Sequence, residues 1–365
     1  MRSRRFRHLA APLIALLAVT AVAAALVAHG VGGHTSERRG SGSLTGDSGG
    51  GARNGVPRLA LTDRLRQVPA TPVGKLRFGL GPGLDSAQSS PLAPDLDFYS
   101  TWFNGPNDLG FLRLWKNDLI PEVYQSGHGI HLIVWLDGTG DVGTIQTSHG
   151  QACGRAYPLS SQFLDNAREL ASIFSGSAGG PPLYVTLFTE FQTYPCHPNS
   201  WGDSPDTTNY YLALQDQYLA AMRIFHDGAP NSRVSLGWGG WQDRWDDPLT
   251  GGGHSMIAHF ADVMRASDFE SFQAMGDDPN AADVIAMTRE LGQYGPVMLA
   301  HFKSEHQSSW ESDMRSLLTG DEPRQLSQAG LFAFSFMDAN NINASPDALS
   351  LARGAIQSHG VHSTG

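Results

Sequence analysis

Cysteine is nearly missing from this 365-residue chain: there are two, Cys153 and Cys196, and no Cys-x-x-Cys pair. That excludes a disulfide-built scaffold and a cysteine-held structural zinc. Positive charge is also short, 25 Lys and Arg against 35 Asp and Glu, for a net charge of −10. A nucleic-acid partner needs clustered Lys and Arg, so none is expected. Three catalytic signatures are absent too. No HExxH marks a zinc peptidase, no apolar strand runs into a GxSxG nucleophile elbow (the one match, Gly46 to Gly50, lies in a Gly/Ser-rich stretch), and no GxGxxG follows the first apolar run. Gly79-Leu80-Gly81-Pro82-Gly83 is glycine-rich, but its proline removes a backbone donor and no P-loop lysine follows. His301, Glu305 and His306 have loop spacing and make a poor metal set, so no metal and no cofactor is expected. What is present is a globular composition, 41% hydrophobic and 16% charged, in a chain long enough to bury a large core.

Arg2, Arg4, Arg5 and Arg7 precede an apolar run of 20 residues, Leu9 to Ala28. A basic flank before an apolar stretch is the pattern of a secretory signal. A run of this length is also just enough to span a bilayer as an N-terminal anchor. Both readings stay open for residues 1–29. Both put the remainder outside, secreted or anchored on the outer face of the plasma membrane, with the basic end cytoplasmic. The membrane is then met only through this segment. Residues 30–70 include GSGSLTGDSGGGARNG and are read as a flexible Gly/Ser-rich tether. In an exported chain two cysteines most simply form one disulfide, Cys153 with Cys196. A monomer is expected.

From about Lys75 to the end, short apolar runs alternate with helical patterns. The strands are expected at Leu76–Leu80, Phe98–Phe103, Ile130–Leu136, Leu183–Phe188, Arg233–Trp238, Phe269–Met275, Pro296–Phe302 and Gly330–Met337. Continuous apolar runs suit parallel strands covered on both faces. Between them, Phe163, Leu164, Ala167, Leu170 and Ile173 share one helical face, as do Tyr211, Leu214, Tyr218, Ala221, Met222 and Phe225. Asp278-Pro279 reads as a helix start, and Ser308 with Glu311 as a capping box. Eight strand–helix units over about 290 residues imply a (β/α)₈ TIM barrel for residues 75–365. A doubly wound sheet is the weaker alternative. The second unit shows no clear helix.

In such a barrel the chemistry sits at the C-terminal strand ends. Trp102, Trp135, Trp238 and Trp241 fall there, interleaved with Asp137, Gln192, Gln242, Gln273, His301, Lys303 and Asp338. Indole faces stack on the apolar faces of sugar rings, which points to a carbohydrate cleft. Glycosidic hydrolysis needs a protonated acid and a second carboxylate. Glu190 ends the apolar run Tyr184-Val185-Thr186-Leu187-Phe188-Thr189, where burial would raise the pKa of a general acid.

The stretch LYVTLFTEFQTY, the helix that follows and then RVSLGWGGWQ, with FYSTWFN on the second strand, resemble the family twenty-six β-mannanases of the clan-A glycoside hydrolases. The resemblance implies a barrel and Glu190 as acid/base. Two departures stand out. Thr189 occupies the place of the family's usual histidine. At the seventh strand, Pro296-Val297-Met298-Leu299-Ala300-His301 puts His301 where the family has its nucleophilic glutamate. Three readings remain open: Glu305 reaches the mouth as the second carboxylate; Asp137 or Asp338 serves as base in an inverting mechanism; or the barrel binds glycan without cleaving it. Lys303 and His301 would suit an anionic sugar. The sequence thus points to a hydrolase acting on a mannan-like, glucan-like or anionic polysaccharide, with Glu190 and Glu305 leading as its catalytic pair.

Overall fold

The computed structural model describes residues 66–136, 139–199, 201–202, 204–246, 256–276, 280–304 and 306–362. Ten strands are described: β1 Arg77–Leu80, β2 Phe98–Phe103, β3 Gly129–Val134, β4 Val142–Thr147, β5 Gly150–Arg155, β6 Leu183–Leu187, β7 Ser232–Gly239, β8 Glu270–Ala274, β9 Val297–Phe302 and β10 Leu331–Phe336. Eight of them close into a barrel, in the ring order β1-β2-β3-β6-β7-β8-β9-β10. Every barrel pairing is parallel. All eight expected runs are these strands, because burial on both faces demands unbroken apolar sequence. The apolar run Leu9–Ala28 lies outside the described residues. Among the described residues no helix is long and apolar enough to cross a membrane.

The barrel interior is filled in layers, as an eight-stranded barrel requires. Tyr184 packs against Phe98, Phe269 and Phe332 at the N-terminal end, with ring centroids 5.7–5.8 Å apart. Above them lies a hydroxyl belt. Ser100 meets Ser335 at 2.8 Å, Ser235 meets Ser271 at 2.7 Å, and His131 Nε2 meets Thr186 Oγ1 at 2.9 Å. Trp102, Gln273 and His301 form the layer nearest the mouth.

The opposite end is pinned by two buried aspartates. Asp97 accepts from the Phe78 amide at 2.9 Å and pairs with Arg77 at 3.1 Å. Asp268 accepts from the Val234 amide at 2.8 Å and from His226 Nε2 at 2.7 Å. The Arg66 amide also donates to Asp268, at 2.7 Å, and its guanidinium donates to the carbonyls of His226, Ala229 and Pro230. From Arg66 on, the chain expected to be tether is therefore tied to the barrel.

The helices Ser161–Phe174 and Pro205–Gly228 follow their apolar faces. Ser160 caps the first by accepting from the Phe163 amide. The capping box expected at Ser308 is replaced. His306 holds the N-cap of the helix Gln307–Leu318, and Glu311 instead accepts from Ser345 and Gln307. Asp278-Pro279 lies outside the described residues. On the connection from β1 to β2, where no clear helix is expected, a short helix, Leu84–Gln88, and a 3₁₀ turn, Ala93–Asp95, carry the chain, and two further helices, Leu109–Trp115 and Leu119–Gln125, follow β2.

β4 and β5 form an antiparallel hairpin outside the barrel, turning at Ser148-His149. The hairpin is bolted to the loop after β6 by a disulfide between Cys153 and Cys196, with their Cα atoms 5.4 Å apart. The expected pairing is therefore formed.

Candidate active site

Glu190 stands at the C-terminal end of β6, half-buried at the barrel mouth. Its backbone is left-handed, with φ 58°, and so is that of Phe188, with φ 56°. This conformation is costly for residues with a Cβ and persists only where the surroundings enforce it. The neighbours do so from both sides. The Thr189 amide donates to Val134 O of β3 and the Glu190 amide to Gly237 O of β7, each at 3.0 Å. Phe188 is buried against Phe163, with centroids 4.7 Å apart. Gly237 is required here: a Cβ would lie 2.8 Å from Thr189 Cα and 2.8 Å from Thr186 Cγ2. The turn thus fixes the backbone from which the carboxylate projects.

Trp102, Trp135 and Trp241 are partly exposed. Trp102 meets Trp135 edge to face at 5.9 Å and stacks on His301 at 4.4 Å. Trp241 lies over Gly239, where any side chain would strike its ring, and donates from Nε1 to Asn199 Oδ1 at 2.9 Å. His301 is fully buried, 3.3 Å from Gln273 Oε1 through Nδ1. Burial drives its pKa down to about 3, so it is a neutral ring at ordinary pH. Trp102 Nε1, Trp135 Nε1, Gln273 Nε2 and His301 Nε2 are buried with no hydrogen-bond partner among the described residues. Others of this kind lie elsewhere in the barrel, among them Tyr184 Oη and both Glu270 oxygens, so these four mark hydrogen-bonding capacity that is available at the mouth.

Three expected ligand residues face elsewhere. Trp238 is fully buried between Phe191 and Phe260, with centroids 4.7 and 5.5 Å away. Inward positions on β7 are Ser235 and Gly237, so alternation turns Trp238 outward to the helices. Gln192 is buried and spent on Gly239 and Gln242. Gln242 is buried as well, bridging Gln192 to Asp246. These side chains hold the loop after β7 and have no surface for a ligand. Lys303 and Asp338 are partly exposed at the ends of β9 and β10. Asp338 caps the helix Ala339–Ala344 through Oδ1, accepting from the Asn340 amide at 2.8 Å. Glu305 and Asp137 lie outside the described residues. Among the described residues no group of three or more His, Cys, Asp or Glu is placed to hold a metal ion.

No protein-family model and no curated protein matches the chain. Among solved structures it is similar to an endoglucanase catalytic domain from Thermobifida fusca in complex with cellotetraose. Identity there is 16%, over 72% of this chain and 79% of that one, with a TM-score of 0.44. A β-mannanase from the blue mussel Mytilus edulis is similar at 12% identity, over 76% and 85% of the two chains, with a TM-score of 0.45. The GH53 catalytic domain of Ignisphaera aggregans is similar at 12% identity, over 78% and 87%, with a TM-score of 0.42. The resemblance to family twenty-six mannanases stays at the level of the residues that carry it.

A further concavity at this mouth was not read from the sequence. Asn104, Pro106, Asn107, Asp108, Thr139 and Tyr157 line it, together with two glycines. Its residues come from three separated loops, and no local pattern joins them.

Proposed function

We propose that the chain is an exported glycoside hydrolase that cleaves O-glycosidic bonds of a polysaccharide, with Glu190 as general acid/base. The supporting observation is the doubly left-handed turn that holds Glu190 at the C-terminal end of the fourth barrel strand, beside partly exposed indoles. Strain of this kind is stored where a side chain must be aimed. Trp102, Trp135 and Trp241 supply stacking faces for sugar rings. Glu190 gives its proton to the leaving oxygen and, in the retaining mechanism, later takes one from the attacking water. Glu305 is the leading second carboxylate, with Asp338 and Asp137 as alternatives. A carboxylate at about 5 Å would act as nucleophile and retain the anomeric configuration; one at roughly 6.5–9.5 Å would activate water and invert it.

The test is reducing-sugar release from a panel of mannans, glucans and acidic polysaccharides. Glu190→Gln should lower kcat by about 10²–10⁴, the usual contribution of a general acid. Release from Glu190→Gln at the wild-type rate would refute the assignment. One observation favours a second reading. His301 stands where a nucleophilic carboxylate was expected, and it is neutral and fully buried. A glycan-binding barrel without hydrolysis would retain polysaccharide and release nothing.

A further inference from the structure

The concavity beside the indoles has a volume of about 540 Å³, within the range of small-molecule sites. It lies past the C-terminal ends of β2 and β3. Asn104 is the first residue past β2 and lies two positions beyond Trp102. The third-strand side is closed by Thr139, whose amide donates to Leu136 O at 3.0 Å. Gly105, at φ 141°, brings the second-strand loop so close that a Cβ would sit 2.9 Å from Thr139 Cγ2. The far wall is Tyr157, from the 3₁₀ turn that follows the hairpin.

The polar groups are only partly used. Asp108 Oδ2 accepts from the Asn104 amide at 2.7 Å and from Asn104 Nδ2 at 3.0 Å, while Oδ1 has no such bond. Tyr157 Oη accepts from Asn166 Nδ2 at 2.6 Å, which leaves its own hydroxyl hydrogen to donate. The exposed Asn107 amide is in no side-chain hydrogen bond among the described residues. So the pocket combines the tyrosine ring and Pro106 as apolar surface with a carboxylate oxygen, an amide and a phenol hydroxyl. Acceptors and donors placed around a flat apolar face are what a ring bearing several hydroxyls pairs with. The described lining carries one carboxylate and no cationic side chain, which opposes an anionic ring.

We infer that this pocket is a subsite for a neutral hexose unit of the polysaccharide, some way along the chain from the bond whose leaving oxygen Glu190 protonates. The inference rests on the proposed hydrolase reading for its direction and narrows the substrate class to an uncharged glycan. It also predicts that cleavage improves with chain length until the pocket is filled.

The experiment fills the pocket with Asn107→Trp and removes one donor with Tyr157→Phe. Both are assayed on a length series of oligosaccharides cut from whichever polysaccharide the wild type hydrolyses. Thermal unfolding checks that the exposed Asn107→Trp site leaves the fold intact. Binding is read in parallel by affinity gel electrophoresis in neutral and acidic polysaccharides. The expected result is a loss of kcat/KM that grows with chain length, to about tenfold on the longest oligomers for Asn107→Trp, with a smaller loss for Tyr157→Phe. If both variants follow the wild type at every length, the pocket is not a subsite and the hydrolase reading stands. If the wild type hydrolyses nothing, the hydrolase reading falls and the gels decide: weaker retention of Asn107→Trp upholds the pocket, and equal retention overturns it. Loss of retention confined to acidic polysaccharides overturns the neutral class.

Discussion

Trp102 and Trp238 are the same side chain in two different jobs. Trp102 stands partly exposed on an inward position of β2, stacked on His301. Trp238 points outward from β7 into aromatic packing. Trp238→Ala should lose about 3–5 kcal/mol of folding stability, the usual cost of emptying a large aromatic site, while the protein that remains folded keeps its affinity for glycan. Trp102→Ala should weaken glycan binding about tenfold, roughly 1.4 kcal/mol, and shift the urea midpoint far less. Paired unfolding curves and affinity gels separate the two; equal stability losses would contradict the assignment. A list of strand-end tryptophans cannot make this distinction, since it depends on which of two alternating faces the residue takes. The small residues Ser235 and Gly237 hold the parity clue.

Among elements, the turn after β6 carries the most consequence. Gly237→Ala puts a methyl group against Thr189 and Thr186. The turn then shifts by a fraction of an ångström, and Glu190 shifts with it. Overpacking of this size costs about 1–3 kcal/mol, yet the expected fall in kcat is on the order of 10²-fold, because misplacing a reacting group is severe. A kcat unchanged in a folded Gly237→Ala protein would mean that the turn does not aim the carboxylate. The eight strands were legible because full burial leaves a continuous apolar signature. The β4–β5 hairpin was not: β4 is largely exposed, its sequence Val-Gly-Thr-Ile-Gln-Thr carries little apolar pattern, and its two-residue turn lacks the usual glycine. The place of Glu190 just past the fourth barrel strand was legible from the apolar run before it. Its left-handed backbone was not, since it is imposed by β3 and β7 from outside the segment.

At the scale of the molecule, buried titratable groups set how the fold answers pH. His131 and His301 are held neutral, their pKa values pushed below the usual histidine range chiefly by burial. Unfolded, they would take up protons below about pH 6.5; folded, they do not. Stability from this source is therefore complete above pH 6.5 and falls as pH drops, by about 1.4 kcal/mol per unit for each group. Glu270 acts in the opposite sense. Both its oxygens are buried without a hydrogen-bond partner among the described residues, and burial raises its pKa well above the carboxylate range. Its contribution is whole below about pH 4.5 and is lost as pH rises. His128 is lowered by burial like the other two histidines, while Asp97 and Asp283 are raised by burial as Glu270 is. The two sets oppose each other between those limits, so the readable signal is differential: from pH 6.5 to pH 5 the urea midpoint of His301→Gln should gain on that of the wild type. Glu270→Met should raise the midpoint at pH 8 more than at pH 4. A difference between wild type and variant that stays constant with pH would contradict the assignment for that residue. The Trp102–His301 stack adds a kinetic corollary. Those two rings cover the barrel axis above the hydroxyl belt, with His131 6.5 Å beneath His301. His131 is fully buried, so after a sudden acidification its protonation should wait on an opening of the fold around it.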